Sequence, residues 1–124
     1  VGLPKANRLK KRQDFQAVYR SGICRKSAHL TLRALKRSIE QQIDRSLMPT
    51  LIGISIGQKV SKKAVIRNRI KRQIRAAFRE LLPSLLPGWQ IVVVVHPQAI
   101  ECEYEHFLRE LKELLVKTET IDGH

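Results

Sequence analysis

The chain has 124 residues and 43% hydrophobic side chains, enough for one domain whose core needs no staple. Its formal net charge of +13 is uneven: residues 1–80 carry 21 basic and 4 acidic side chains, whereas residues 97–124 carry 3 and 7. No apolar run approaches the roughly 18 residues of a membrane span and no secretory signal opens the chain, so a cytoplasmic protein with one surface for a polyanion is expected.

Residues 1–10, polar, basic and broken by Pro4, read as an extended arm. A short helix is predicted over residues 11–21, ended by Gly22. Phe15, Val18 and Tyr19 share one face of it, beside Arg8, Lys10, Lys11 and Arg12. Two of the chain's six aromatic residues thus stand one turn apart. Either they pack in the core or they form a stacking platform for unpaired bases.

Residues 28–35 alternate, with Ala28, Leu30, Leu32 and Ala34 against His29, Thr31 and Arg33, which predicts a half-buried strand. Residues 36–49 read as a mobile loop, with one more short strand expected somewhere before Leu51. LIGISIG (51–57) is a further strand, with Ile52, Ile54 and Ile56 on one side and Gly53, Ser55 and Gly57 on the other. Small residues on a strand face admit something close to the sheet, either a ligand or a packed helix.

The dominant stretch is KKAVIRNRIKRQIRAAFRELL (62–82). Wound as a helix, it places Ile66, Ile70, Ile74, Ala77 and Leu81 on one stripe with Phe78 at its edge. Arg67, Asn68, Lys71, Arg72, Arg75 and Arg79 take the opposite arc, and Arg69 a flank. No carboxylate interrupts the cations before Glu80. Arg67, Lys71, Arg75 and Arg79 repel one another at four-residue spacing, so an external polyphosphate is the expected compensation. Ser61 is the expected N-cap, and Lys59, Lys62 and Lys63 gather at a helix start that suits phosphate. An anionic membrane fits less well, because the apolar stripe is committed to a core.

Residues 83–88 break the helix. WQIVVVVH (89–96) is a β-branched run typical of a strand buried on both faces. Two strands flanking one helix make a βαβ unit with a parallel pair. Residues 104–116 form the last helix, with Phe107, Leu108, Leu111, Leu114 and Leu115 inward, and residues 118–124 are expected to fray. The fold class is α+β, a two-layer α/β sandwich in the order α-β-β-β-α-β-α, forming one domain over residues 1–124.

Cys24 and Cys102 stand far apart and read as small buried or half-buried thiols, and the scattered histidines show no metal-ligand spacing. No catalytic constellation is found: the acids of the basic region form no pair, and there is no phosphate-binding glycine loop, GxSxG or HExxH. The residues describe a binding module. Aromatics beside a small-residue sheet face favour RNA over duplex DNA.

Three blocks in order, NRLKKRQDFQAVYRSG (7–22), GISIGQKVSKKAVIRNR (53–69, continuing as IKRQIR) and IVVVV (91–95), make the sequence resemble the protein subunit of bacterial ribonuclease P. The similarity covers about residues 4–117. It implies a four-stranded sheet and a left-handed crossover around the basic helix, the opposite of the general rule. It also implies the activity, endonucleolytic removal of the 5′ leader from precursor tRNA. An RNA subunit then carries the chemistry and most of the Mg2+, and the protein alone is not catalytic.

By position, Arg67, Asn68, Arg69, Lys71, Arg72 and Arg75 match the helix that contacts the RNA subunit, and Lys59, Lys62 and Lys63 at its start are assigned with them. Phe15 and Tyr19 match the aromatic pair of the leader cleft, joined by Arg12, Arg33 and Ser55. Arg33 stands where the family often has an aromatic, so a phosphate contact is expected there in place of stacking. The implied partners are ribonuclease P RNA and precursor tRNA, with no membrane and no obligate protein partner predicted; the sequence itself shows no metal-ligand set. The same charge would also serve a ribosome-associated structural protein. A nuclease in its own right would need an acidic or histidine cluster.

Overall fold

The computed structural model describes residues 3–37 and 48–120. Strand β1 (Ile23–Lys26) pairs antiparallel with β2 (Leu30–Lys36), and β2 pairs antiparallel with β4 (Trp89–Val95). Strand β3 (Leu51–Ser55) pairs in parallel with β4, giving one sheet in the order β1-β2-β4-β3. Between β3 and β4 runs helix α2 (Ala64–Leu81), the expected βαβ unit. Helix α1 (Arg12–Ser21) precedes β1, and α3 (Tyr104–Lys117) follows β4. The additional short strand is β1. Most of the expected loop lies outside the described residues.

Strand alternation assigns the two faces. Leu30, Leu32 and Ala34 of β2, Ile52 of β3, and Ile91, Val93 and Val95 of β4 are at most 5% exposed and share one core. Against them lie Ile70, Ile74, Ala77, Phe78 and Leu81 of α2, with Phe107, Leu111, Leu114 and Leu115 of α3. Ile66, the first residue of the predicted stripe, is half-buried against the same core. Burying a large apolar side chain contributes about 1.5–3 kcal/mol, so this layer outweighs the like-charge repulsion along α2. The other sheet face carries a smaller cluster of Val92, Val18 of α1 and Leu9. Burial on both sides explains the unbroken β-branched run of β4.

Helix ends follow local chemistry. Gly22 caps α1 in an extended conformation, where a Cβ would stand 2.6 Å from the Val18 carbonyl oxygen and 3.1 Å from that of Ala34. At α3, Glu103 and His106 cap each other's backbone N–H groups, a capping box with histidine in the usual glutamate place. The same helix ends with Glu119 at φ 59, while Glu119 N–H donates to Val116 O and Thr120 N–H to Leu115 O. That is a Schellman closure built without glycine.

Three expectations are corrected. Lys63, not Ser61, is the N-cap residue of α2, and Ser61 Oγ instead accepts the Lys63 N–H at 3.1 Å. Of the tail expected to fray over 118–124, residues 118–120 are docked, with Thr118 and Thr120 2% and 0% exposed and Thr120 O accepting the Leu86 N–H, while 121–124 lie outside the described residues. The N-terminal arm is docked, with Leu3 and Leu9 buried, Arg8 bridged to Ile52, and Leu9 N–H donating to Ile52 O at 2.9 Å. It thereby covers part of the β3 edge, which would otherwise present unpaired backbone groups.

Buried Glu110 ties α3 to the β1–β2 turn. Its carboxylate accepts Ser27 Oγ–H and His29 N–H, and pairs with His29 Nδ1 at 2.6 Å. Burial pushes this carboxyl up, but the hydrogen bonds from Ser27 and His29 outweigh it and hold the carboxyl below its ordinary value. A depressed folded pKa contributes stability above the unfolded value, and that stability is lost as pH falls through the folded one. Stability to denaturant is therefore expected to decline as the medium is acidified below the ordinary value of 4.5. Glu110→Gln should flatten that decline; an unaltered acid profile in the variant would assign it to other carboxylates.

Candidate nucleic-acid interface

With its apolar stripe in the core, α2 can present its cations only outward. Lys59, Lys62, Lys63, Asn68, Arg69 and Arg72 are exposed, and Arg67, Lys71 and Arg75 are half-buried. Arg67 Nη1 donates to Ser61 O at 2.8 Å and Arg69 Nη2 to Ile100 O at 3.3 Å. Carbonyls steady these two guanidinium groups without cancelling their charge. Among the described residues no carboxylate pairs with Lys71, Arg72 or Arg75. No side chain caps the N-cap of α2, so its first backbone N–H groups add to the positive field.

The opposite sheet face holds the aromatics. Helix α1 settles by Val18, fully buried against Val92. Phe15 lies directly on Gly53, where a Cβ would come within 2.5 Å of its ring, so glycine is what lets the ring reach the strand. Phe15 is thus half-buried packing, whereas Tyr19, one turn later, is 39% exposed. The Arg33 guanidinium carbon lies 5.5 Å from the Tyr19 ring centroid, and its Nη1 donates to Tyr19 O at 3.3 Å. Cation and ring form one surface.

Arg12 is exposed at the start of α1, and Ser55, in register with Val94, lies beyond Gly53 on the same strand face. Farther on, nothing stands within 4 Å of where a Gly57 Cβ would be. The small-residue face therefore does both things: a helix fills it at Gly53 and it opens toward Ser55. On the same face Thr31 Oγ1 and His96 Nε2 are hydrogen-bonded at 2.6 Å. Strand alternation could have flagged Thr31; nothing local in the sequence pointed to His96.

The two groups of side chains approach each other at the β3 edge. A cavity of about 190 Å³ there is lined by Leu3, Arg8, Leu9, Lys10, Phe15, Ile52, Gly53, Ile54 and Arg75. Arg8 and Lys10 thus join Arg75 around Phe15, which the docked arm makes possible and which an extended arm would not have revealed.

A small basic α+β domain with a cationic helix behind its sheet and an aromatic, half-open face in front belongs to the class built for polyanionic partners. The profile of the ribonuclease P protein family matches residues 3–119. The ribonuclease P protein component of Microcystis aeruginosa is 56% identical over all of both chains, and that of Trichormus variabilis 52% identical over 100% of this chain and 99% of its own. The ribonuclease P protein of Staphylococcus aureus superposes with a TM-score of 0.79 at 27% identity, covering 95% of this chain and 100% of that one. The Thermotoga maritima protein, at 22% identity, shares the fold with a TM-score of 0.73, over 94% of this chain and 98% of its own.

The chain belongs to the ribonuclease P protein family, the protein components of a ribonucleoprotein endoribonuclease that processes the 5′ end of tRNA. No described helix is long and apolar enough to cross a membrane.

Exposure separates scaffold from surface in α1. Tyr19→Ala is expected to change the unfolding free energy by at most about 1 kcal/mol, the scale of an exposed cation–π contact. Denaturant melts check this; a loss of several kcal/mol would make Tyr19 a core residue.

Proposed function

We propose that this chain holds two RNAs at once, the catalytic RNA subunit on α2 and the 5′ leader of precursor tRNA on the α1–sheet face. One observation supports the reading: α2 packs on one face of the sheet and the Phe15–Tyr19–Arg33 group lies on the other, with Phe15 and Arg75 lining one cavity at the β3 edge. Lys59, Lys62, Lys63, Arg67, Asn68, Arg69, Lys71, Arg72 and Arg75 contact phosphates of the RNA subunit. Binding there removes the repulsion along α2 and releases counterions from the RNA.

On the other side, bases of the single-stranded leader stack on the exposed Tyr19 ring, each worth about 1–3 kcal/mol. Phe15 supports the floor, while Arg12 and Arg33 take phosphates and Ser55 offers a hydroxyl beyond Gly53. The protein's contribution is affinity and orientation: it fixes the leader relative to the catalytic RNA, converting part of an encounter into a preassembled geometry. The Mg2+-assisted hydrolysis belongs to the RNA subunit, and no residue of this chain acts as acid, base or nucleophile. The site of action is the bacterial cytoplasm, and no further protein partner is required.

At low magnesium, protein together with a bacterial ribonuclease P RNA is expected to release the leader from precursor tRNA, while either component alone releases little. Cleavage by the protein alone would contradict the division of labour. Arg72→Ala should weaken binding of the RNA subunit and flatten its salt dependence by about 0.7–0.9 in log–log slope for one lost phosphate contact. An unchanged slope would place Arg72 off the RNA.

A further inference from the structure

Apart from the proposed RNA contacts, the fold gathers three side chains that the sequence keeps far apart. His29 comes from the β1–β2 turn, Cys102 from just ahead of α3, and Glu110 from within it. A ring nitrogen of His29, Sγ of Cys102 and a carboxylate oxygen of Glu110 all lie within 4.8 Å of one another. Cys102 and Glu110 are 6% and 4% exposed, while half-buried His29 leaves the cluster a path to solvent. We propose that His29, Cys102 and Glu110 form a binding site for a borderline-soft divalent transition metal, Zn2+ foremost, with water as fourth ligand.

The donor set chooses the metal. Thiolate, imidazole and carboxylate together suit Zn2+ and its neighbours, and suit Mg2+ or Ca2+ poorly because those demand oxygen. Bonds of about 2.0–2.3 Å in a tetrahedron set ligand atoms about 3.3–3.8 Å apart. The 2.6 Å His29–Glu110 pair must open by about 1 Å and the other separations, all within 4.8 Å, must close by at most about 1.5 Å, within reach of side-chain rotation. Coordination through Nδ1 uses the neutral ring with its proton on Nε2, and the Cys102 thiol proton goes to water.

The surroundings are prepared for a cation. Ser27 Oγ–H and His29 N–H hold one Glu110 oxygen, leaving the other as ligand, the outer-shell support that fixes metal-binding carboxylates. His29 itself is held through its backbone, its carbonyl accepting the His96 N–H at 2.9 Å. Burial and then Glu110 and Glu101 push the Cys102 thiol up, with Arg109 opposing them. Of these causes the two carboxylates favour a dication beside the thiol, whereas burial disfavours any charge there, so the site rests on its geometry and donor set. Bracing of the turn by Glu110 explains its contacts with Ser27 and His29, and Cys102 packs in the apolar core; only a metal site would join the thiol to the other two. The thiol is where a structural brace and a metal site part company. Occupancy at Cys102 would also steady the adjoining residues 97–101, whose Ile100 carbonyl receives Arg69.

The full chain, stripped with chelator, is titrated with Co2+ as an optical stand-in and then with Zn2+. The expected result is one Co2+ per chain, with a near-ultraviolet sulfur-to-cobalt charge-transfer band and tetrahedral visible bands, both displaced by Zn2+. Cys102→Ser should abolish the charge-transfer band, Cys24→Ser should leave it, and His29→Gln should weaken binding at least about tenfold. His29 is half-buried, so its variant tests the site even if Glu110→Gln proves unstable. Absence of the band, its loss in Cys24→Ser but not Cys102→Ser, or undiminished affinity in His29→Gln would each overturn the proposal.

Discussion

Burial of Ile70, Ile74, Ala77, Phe78 and Leu81 fixes the rotation of α2 about its axis, and with it the direction in which every cation of that helix points. Three successive like-charge pairs, from Arg67 to Arg79, cost about 1 kcal/mol in sum. The apolar stripe contributes several times that. The protein therefore folds despite an unfavourable charge strip, and relief of that repulsion would add to the driving force of the RNA contact proposed for this helix. Stability and function divide one helix along its length, each taking a side.

A second constraint shapes the opposite face. Gly53 lets Phe15 rest on the strand, and this close approach seats α1 over one end of the sheet while the Ser55 end stays open. Tyr19, one turn from Phe15, is thereby carried to the rim, where Arg33 covers its ring. Arg33 is therefore placed to neutralise phosphate without giving up the apolar platform beside it. Docking of residues 3–9 along β3 brings Arg8 and Lys10 beside Phe15 and Arg75 at the β3 edge.

Much of this was legible in the sequence wherever a period reported a face. The 3.6-residue pattern of α2 placed its buried stripe, and the two-residue alternation of β2 and β3 placed Leu30, Leu32, Ala34 and Ile52 inward. What the pattern missed was tertiary. The basic segment reads only as an extended arm, because nothing local shows that Leu3 and Leu9 find a strand edge. The tail reads as frayed, because a Schellman closure with Glu119 in place of glycine carries no compositional mark. Ser61 looked like an N-cap because it is the last hydroxyl before the helix, yet the helix begins later. His29, Cys102 and Glu110 meet only through the packing of α3 on the β1–β2 turn. No spacing rule reaches across that distance.

The claim that two faces of one sheet hold two different RNAs is tested most directly by site-specific photocross-linking within the assembled ribonucleoprotein. A cross-linker at position 72 is expected to capture the RNA subunit, and one at position 19 the 5′ leader of bound precursor tRNA. Capture of the same strand from both positions, or an exchange of the two targets, would contradict the account.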